Sequence, residues 1–193
     1  MSIRKKTLTR EEQQEYQLVI GRFAEDTFCK AAHIDDMQRG YNDVYEHKDL
    51  IVNGKSYDVK APKSMTESSA NSIVVEFVSV NNMKGWIDSD VDEIAQMIRY
   101  HGRWCFFFLP RKGLRDMVLE KVPDPYNNPT PATAEHEPYV CYARASKHYQ
   151  DRYVYVPLED LIQRFGNRRI RCVDQFIDNK RLQDIFDKYY EDR

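Results

Sequence analysis

Asp49, Asp58 and Lys60 are of the types that hold a hard cation and steer charge at a phosphate, and the chain between them contains a device that gathers them. Asn53-Gly54 separates two short β-prone runs, VYEHKDLIV and KSYDVKA. Such a dipeptide is a strong hairpin signal, because a type I′ turn needs positive φ at both central positions. Pairing outward from a two-residue loop sets Val52 opposite Lys55, Ile51 opposite Ser56, Leu50 opposite Tyr57, and Asp49 opposite Asp58. Side chains alternate along a strand, so Lys60 shares the face of Asp58, while Leu50, Tyr57 and Val59 turn to the other face. Two carboxylates about 5 Å apart repel unless something offsets them. Mg²⁺ or Mn²⁺ would do so, with Asp49 and Asp58 as oxygen ligands. Lys60 would then orient or deprotonate an attacking water, or stabilise charge developing on a phosphate. The competing reading is a solvent-facing hairpin with ordinary charges, and a slip of one residue would disperse the set.

A third carboxylate stands out. Glu76 lies in SIVVEFVSV among apolar neighbours, where a carboxylate is costly to bury unless it is paired or metal-bound. It is a candidate third ligand, or a contact to the water or to Lys60; a salt-bridged edge-strand glutamate is the alternative.

The array Asp49…Asp58-Val59-Lys60 resembles the signature of the PD-(D/E)xK nuclease superfamily, an acid on one strand followed by a (D/E)xK triplet on the next. No proline precedes Asp49, and the triplet acid is Asp rather than the commoner Glu. The resemblance covers about residues 15–110. It implies an α/β fold: a restriction-endonuclease-like α/β/α sandwich with a mixed central sheet, extended here by C-terminal helices. It also implies a Mg²⁺-dependent (or Mn²⁺-dependent) nuclease hydrolysing phosphodiester bonds, with DNA as the first candidate substrate. Asp49, Asp58 and Glu76 would hold the metal, Lys60 would assist the water, and Glu25, in GRFAEDTFCKAA, would be the helix acid of the catalytic set. The alternative within that family is a nuclease fold that binds nucleic acid or protein without cutting. Many such nucleases form homodimers, and the C-terminal helices could supply the interface. The compact core is compatible with a phage or mobile-element protein.

The positioning elements follow from periodicity and punctuation. Thr9 with Glu12 has the form of a capping box opening a long helix, or two consecutive helices, over about residues 10–32, with Gly21 as a candidate break. HIDDMQRGYND reads as a loop and SIVVEFVSV as a strand. In DSDVDEIAQMIRY, Val91, Ile94, Ala95 and Ile98 share one helical face, which predicts a helix with Asp90 and Asp92 at its start. RWCFFFLP predicts a strand ending at Pro110, and RKGLRDMVLEKV a short helix. Residues 123–138 hold five of the eight prolines and read as a loop. PYVCYARA and DRYVYVPL predict strands, LEDLIQRF and VDQFIDNKRLQDIFDKYYEDR helices. The 193 residues fit one domain, with a core over about 10–122 and C-terminal strands and helices over 139–193.

Composition is permissive. Hydrophobic residues make up 41% and charged residues 31%, so a solvated globular domain is expected, and the net charge of −2 shows no basic surplus. A nuclease's metal-binding acids offset its Lys and Arg, so charge does not decide. Cys29, Cys105, Cys141 and Cys172 are scattered without zinc-ligand spacing, which reads as isolated apolar filling in a reducing cytoplasm. No apolar run is long enough for a signal sequence or a membrane span. Trp86 would either stack on a base or anchor the next element in the core. Arg111, Lys112 and Arg115, and Arg164, Arg168, Arg169 and Arg171, would either bind phosphates or form solvated faces. Lys63 is a candidate phosphate contact, and His47 would sit opposite Lys60 in the hairpin register.

Overall fold

A computed structural model of the chain describes residues 3–33, 49–62, 65, 71–79, 83–132, 136–143 and 151–192. The first helix, α1 (Arg10–Ala32), is a single unbroken rod through Gly21. Its capping box is as expected: the Thr9 hydroxyl accepts from the Glu12 amide, and the Glu12 carboxylate accepts from the Thr9 amide at 2.8 Å. Tyr16, Ile20, Phe23, Ala24 and Phe28 recur at helical spacing and are all buried. Each large apolar side chain so buried contributes roughly 1.5–3 kcal/mol, which holds the helix to its sheet far more strongly than its caps do.

Among the described residues that sheet has five strands: β2 (Leu50–Val52), β3 (Lys55–Lys60), β5 (Glu93–Tyr100), β6 (Arg103–Pro110) and β10 (Ile170–Cys172), in the order β10-β6-β5-β3-β2. The β2–β3 hairpin has the register read from its turn, Leu50↔Tyr57, Ile51↔Ser56 and Val52↔Lys55, with φ of 51° at Asn53 and 76° at Gly54. β3 then runs parallel to β5, and β5 and β6 form a second hairpin through His101-Gly102, again with positive φ at both residues.

The helix predicted over DSDVDEIAQMIRY is instead strand β5. All six residues from Glu93 to Ile98 are buried, because this central strand is covered on both faces. Ala95 and Met97 join the core beneath α1, while Ile94 and Ile98 join the core on the opposite side. Near-continuous burial of this kind marks an interior strand, and the helical spacing of the apolar residues is coincidental. Asp90 and Asp92 therefore cap no helix. Asp92 accepts from the Ser56 amide and hydroxyl, both at 2.8 Å, and so ties β3 to the entry of β5.

Between β3 and β5 the chain leaves this sheet to form β4 (Ser72–Val78), which belongs to a second sheet of four strands among the described residues. Its other strands are β7 (Thr130–Pro131), β8 (Cys141–Ala143) and β9 (Arg152–Pro157), in the order β4-β9-β8-β7. β7 lies inside the proline-rich stretch expected to be loop. Helices α2 (Arg111–Lys121) and α3 (Leu158–Phe165) pack with this sheet: Leu114, Val118 and Leu161 share one core with Val75, Phe77, Val154 and Phe107. α4 (Asn179–Tyr189) packs on the α1 side, and the chain ends pair as β1 (Ile3–Lys5) with β11 (Tyr190–Asp192), a pairing with no sequence signal. The fold is thus mixed α/β, with two mixed sheets and four helices among the described residues. No helix among them is long and apolar enough to cross a membrane.

Candidate metal and phosphate site

Alternation along β3 sends Tyr57 and Val59 into the core under α1 and leaves Asp58 and Lys60 on the opposite face. The β2–β3 ladder ends at Leu50↔Tyr57, so Asp49 does not simply pair with Asp58 as expected. Its amide donates to the Tyr57 carbonyl at 3.0 Å. Its Oδ2 accepts from the Val59 amide at 2.7 Å, supplying the acceptor that the next ladder position would have provided. This clamp holds the Asp49 carboxylate beside Asp58, whose ionisation it opposes.

Asp58 is only 1% exposed. Lys60 Nζ lies 2.8 Å from its Oδ1, and beyond that ion pair no donor among the described residues reaches either carboxylate oxygen. Buried carboxylates normally gather several hydrogen bonds, so one served by a single ion pair is an exception that calls for a reason. Burial pushes the Asp58 carboxyl up to about 7; the attraction of Lys60 works against this, and the nearby Asp49 charge adds to it. Burial by itself would lower Lys60, but the charges of Asp58 and Asp49 outweigh it, with a further contribution from Glu76. Lys60 is therefore held above the ordinary lysine value and stays an ammonium. Its Nζ also sits 5.8 Å from the centroid of the Trp86 ring, within reach of a cation–π attraction.

Trp86 is buried in the core at the start of a 3₁₀ turn, Trp86–Asp88, so of its two expected roles it takes that of anchor. Gly85 lets this turn approach β4: its amide donates to Phe77 O at 2.9 Å, and an added Cβ would lie 2.2 Å from the Glu76 carbonyl oxygen. Gln96 was not a candidate from sequence, yet its Nε2 donates to the carbonyls of Ala61 at 3.0 Å and Lys60 at 3.3 Å. It fixes the end of β3 where Lys60 departs. The available signal was a lone amide in the apolar run EIAQMI.

The five residues predicted for the site are not all brought together. Asp49, Asp58 and Lys60 form one cluster. Glu76 is half-buried on β4, on the face opposite Val75 and Phe77, and acts on Lys60 through its charge. Glu25 is half-buried on α1, the helix that covers the Tyr57 and Val59 face rather than the face of Asp58. No group of three or more His, Cys, Asp or Glu side chains converges at metal-ligand geometry among the described residues. Lys63 and His47 lie outside the described residues.

Most of the arginines proposed for phosphate are engaged in the fold. Arg169 and Lys55 both pair with the buried Glu93, at 2.9 and 2.8 Å. Arg115 pairs with Asp88 at 2.6 Å and Arg164 with Glu120 at 3.0 Å, while Arg111 Nε donates to the Val91 carbonyl at 3.4 Å. Lys112, Arg168 and Arg171 are exposed.

No family model matches this chain, and no curated protein or solved structure is significantly similar to it.

Proposed function

We propose that the chain is a divalent-metal-dependent hydrolase of phosphodiester bonds, acting on nucleic acid and first of all on DNA. The observation that carries this reading is the Asp58 carboxylate: fully buried, supplied among the described residues by the Lys60 ammonium alone, and set beside Asp49. Two adjacent carboxylates sharing one ammonium at that depth are destabilising for the protein alone, and a bound cation would offset the excess charge. The Val59 amide holds the Asp49 carboxylate beside Asp58 through Oδ2, and two adjacent aspartates suit a hard cation. When bound, Mg²⁺ or Mn²⁺ supplies Lewis acidity beside a phosphoryl oxygen.

The chain's own contribution is positional and electrostatic. Lys60, protonated and steered by Asp58, places a positive charge where a phosphate gains negative charge, which favours that role over proton abstraction. Gln96 fixes the backbone from which Lys60 springs, and the Trp86 ring limits where its ammonium can go. In this reading the fold is of the restriction-endonuclease-like kind, with β2, β3, β5 and β6 beneath α1 as its core. Glu76 tunes Lys60 from the neighbouring sheet.

The test is cleavage of linear and circular DNA with Mg²⁺ by the wild-type chain, Asp58→Ala and Lys60→Ala. Metal-dependent cleavage by the wild type and its loss in both variants, with native circular dichroism retained, supports the reading. Cleavage by either variant at the wild-type rate sinks it.

A further inference from the structure

Cys105 and Cys172 are distant in sequence, but β6 and β10 set them directly opposite each other in an antiparallel pair. The Val173 amide donates to the Trp104 carbonyl at 2.8 Å, which makes the neighbouring Cys172↔Cys105 position a non-hydrogen-bonded pair. Residues at such positions have Cα atoms about 4.5 Å apart and closely spaced side chains, within the span a disulfide bridges. Both side chains leave the sheet on the same face, Cys105 with Phe107 and Cys172 with Ile170, and the two thiols lie close enough to hydrogen-bond. Both cysteines are free thiols, one buried and one exposed.

We propose that Cys105 and Cys172 are an oxidant-responsive pair that closes to a cross-strand disulfide between β6 and β10. The inference is independent of the reading of Asp58 and Lys60. Their environments divide the labour. Burial pushes the Cys105 thiol up to about 11, so it is not the first to react. Cys172 is exposed, and its Sγ donates to Asp174 Oδ2 at 3.3 Å, the same oxygen that pairs with Arg103 Nε at 2.9 Å. Asp174 thus offers an acceptor for the Cys172 proton, and Arg103 a positive charge beside the sulfur.

With a peroxide as oxidant, the Cys172 sulfur attacks one peroxide oxygen and the O–O bond breaks. This gives a sulfenic acid and one water. The Cys105 sulfur then attacks the Cys172 sulfur, the S–O bond breaks, and the departing hydroxide takes the Cys105 proton as a second water. Two thiols lose two electrons in total, and the peroxide gains them. The product fastens the edge strand β10 to the sheet.

The test treats the folded full-length chain with hydrogen peroxide, then blocks free thiols under denaturing conditions and maps peptides without reduction. The wild type should lose two titratable thiols, yield one peptide pair joined through Cys105 and Cys172, and melt roughly 5 °C or more higher until dithiothreitol reverses the change. Cys172→Ser should keep its remaining thiols and its melting temperature. Cys105→Ala should accumulate a Cys172 sulfenic acid that dimedone traps. A wild type in which Cys172 ends as sulfinic acid, or as a bridge between two chains, with Cys105 still titratable, overturns the proposal.

Discussion

Replacing Asp58 by Asn should make the metal-free protein more stable while removing its response to metal. The Asp58 carboxyl moves from 3.8 to about 7 on folding, chiefly through burial. Each unit corresponds to 1.36 kcal/mol, so the ionised group opposes folding by up to about 4 kcal/mol. The sign follows from linkage. Between about pH 4 and pH 7 the folded state holds a proton that the unfolded state has lost, so this contribution to stability falls as pH rises and is fully unfavourable above pH 7. Asn is close in shape and carries no charge. The Asp58→Asn protein should therefore match the wild type near pH 4 and exceed it at pH 8 by up to about 4 kcal/mol, roughly 10 °C in melting temperature for a chain of this size. Other carboxylates, Asp160, Asp174 and Asp178 among them, are lowered by folding and push the opposite way. The quantity to follow is thus the difference between the two proteins, from urea unfolding in EDTA across that pH range. Adding Mg²⁺ at tenfold its dissociation constant should stabilise the wild type by about 1.4 kcal/mol and leave Asp58→Asn unmoved. A variant less stable than wild type at pH 8 in EDTA, by a margin that does not change with pH, refutes the reasoning.

Gly85→Ala should cost about 3 kcal/mol in urea unfolding, because the new methyl group meets the β4 backbone at Glu76 rather than a side chain that can yield. An unchanged midpoint would show that the turn can shift without loss. Glu93→Gln should cost only about 1–2 kcal/mol, since Lys55 and Arg169 remain partly in water once their partner is gone. It should leave DNA cleavage at the wild-type rate; a large loss of cleavage would return Arg169 to the phosphate-binding candidates.

How much of this was legible in the sequence depended on the range of the forces involved. The β2–β3 hairpin was readable because Asn53-Gly54 fixes a turn locally, and alternation then assigns Asp58 and Lys60 to one face and Tyr57 and Val59 to the other. The α1 capping box was readable for the same reason. The position of Asp49 was only half visible: its carboxylate takes the Val59 amide, a choice made by side chain rather than ladder. β5 was misread because a strand covered on both faces loses its period of two, and Val91, Ile94, Ala95 and Ile98 happened to fit the other period. The Arg169–Glu93 ion pair and the Cys105–Cys172 pair were invisible, since each depends on β10 or its approach reaching β5 and β6 from more than sixty residues away. The Arg-rich run looked like a phosphate surface because nothing local reveals a buried acid waiting for Arg169.

The proposed function turns on Asp49 and Asp58 together holding a divalent cation. The most direct measurement is anomalous diffraction from crystals of the chain grown or soaked with Mn²⁺, collected alongside Asp58→Asn crystals treated identically. A site held by both residues gives a peak within bonding distance of the Asp49 and Asp58 carboxylates in the wild type, and no peak there in the variant. A wild-type crystal saturated with Mn²⁺ that shows no peak between those carboxylates, from a preparation that cleaves DNA in the same solution, contradicts it.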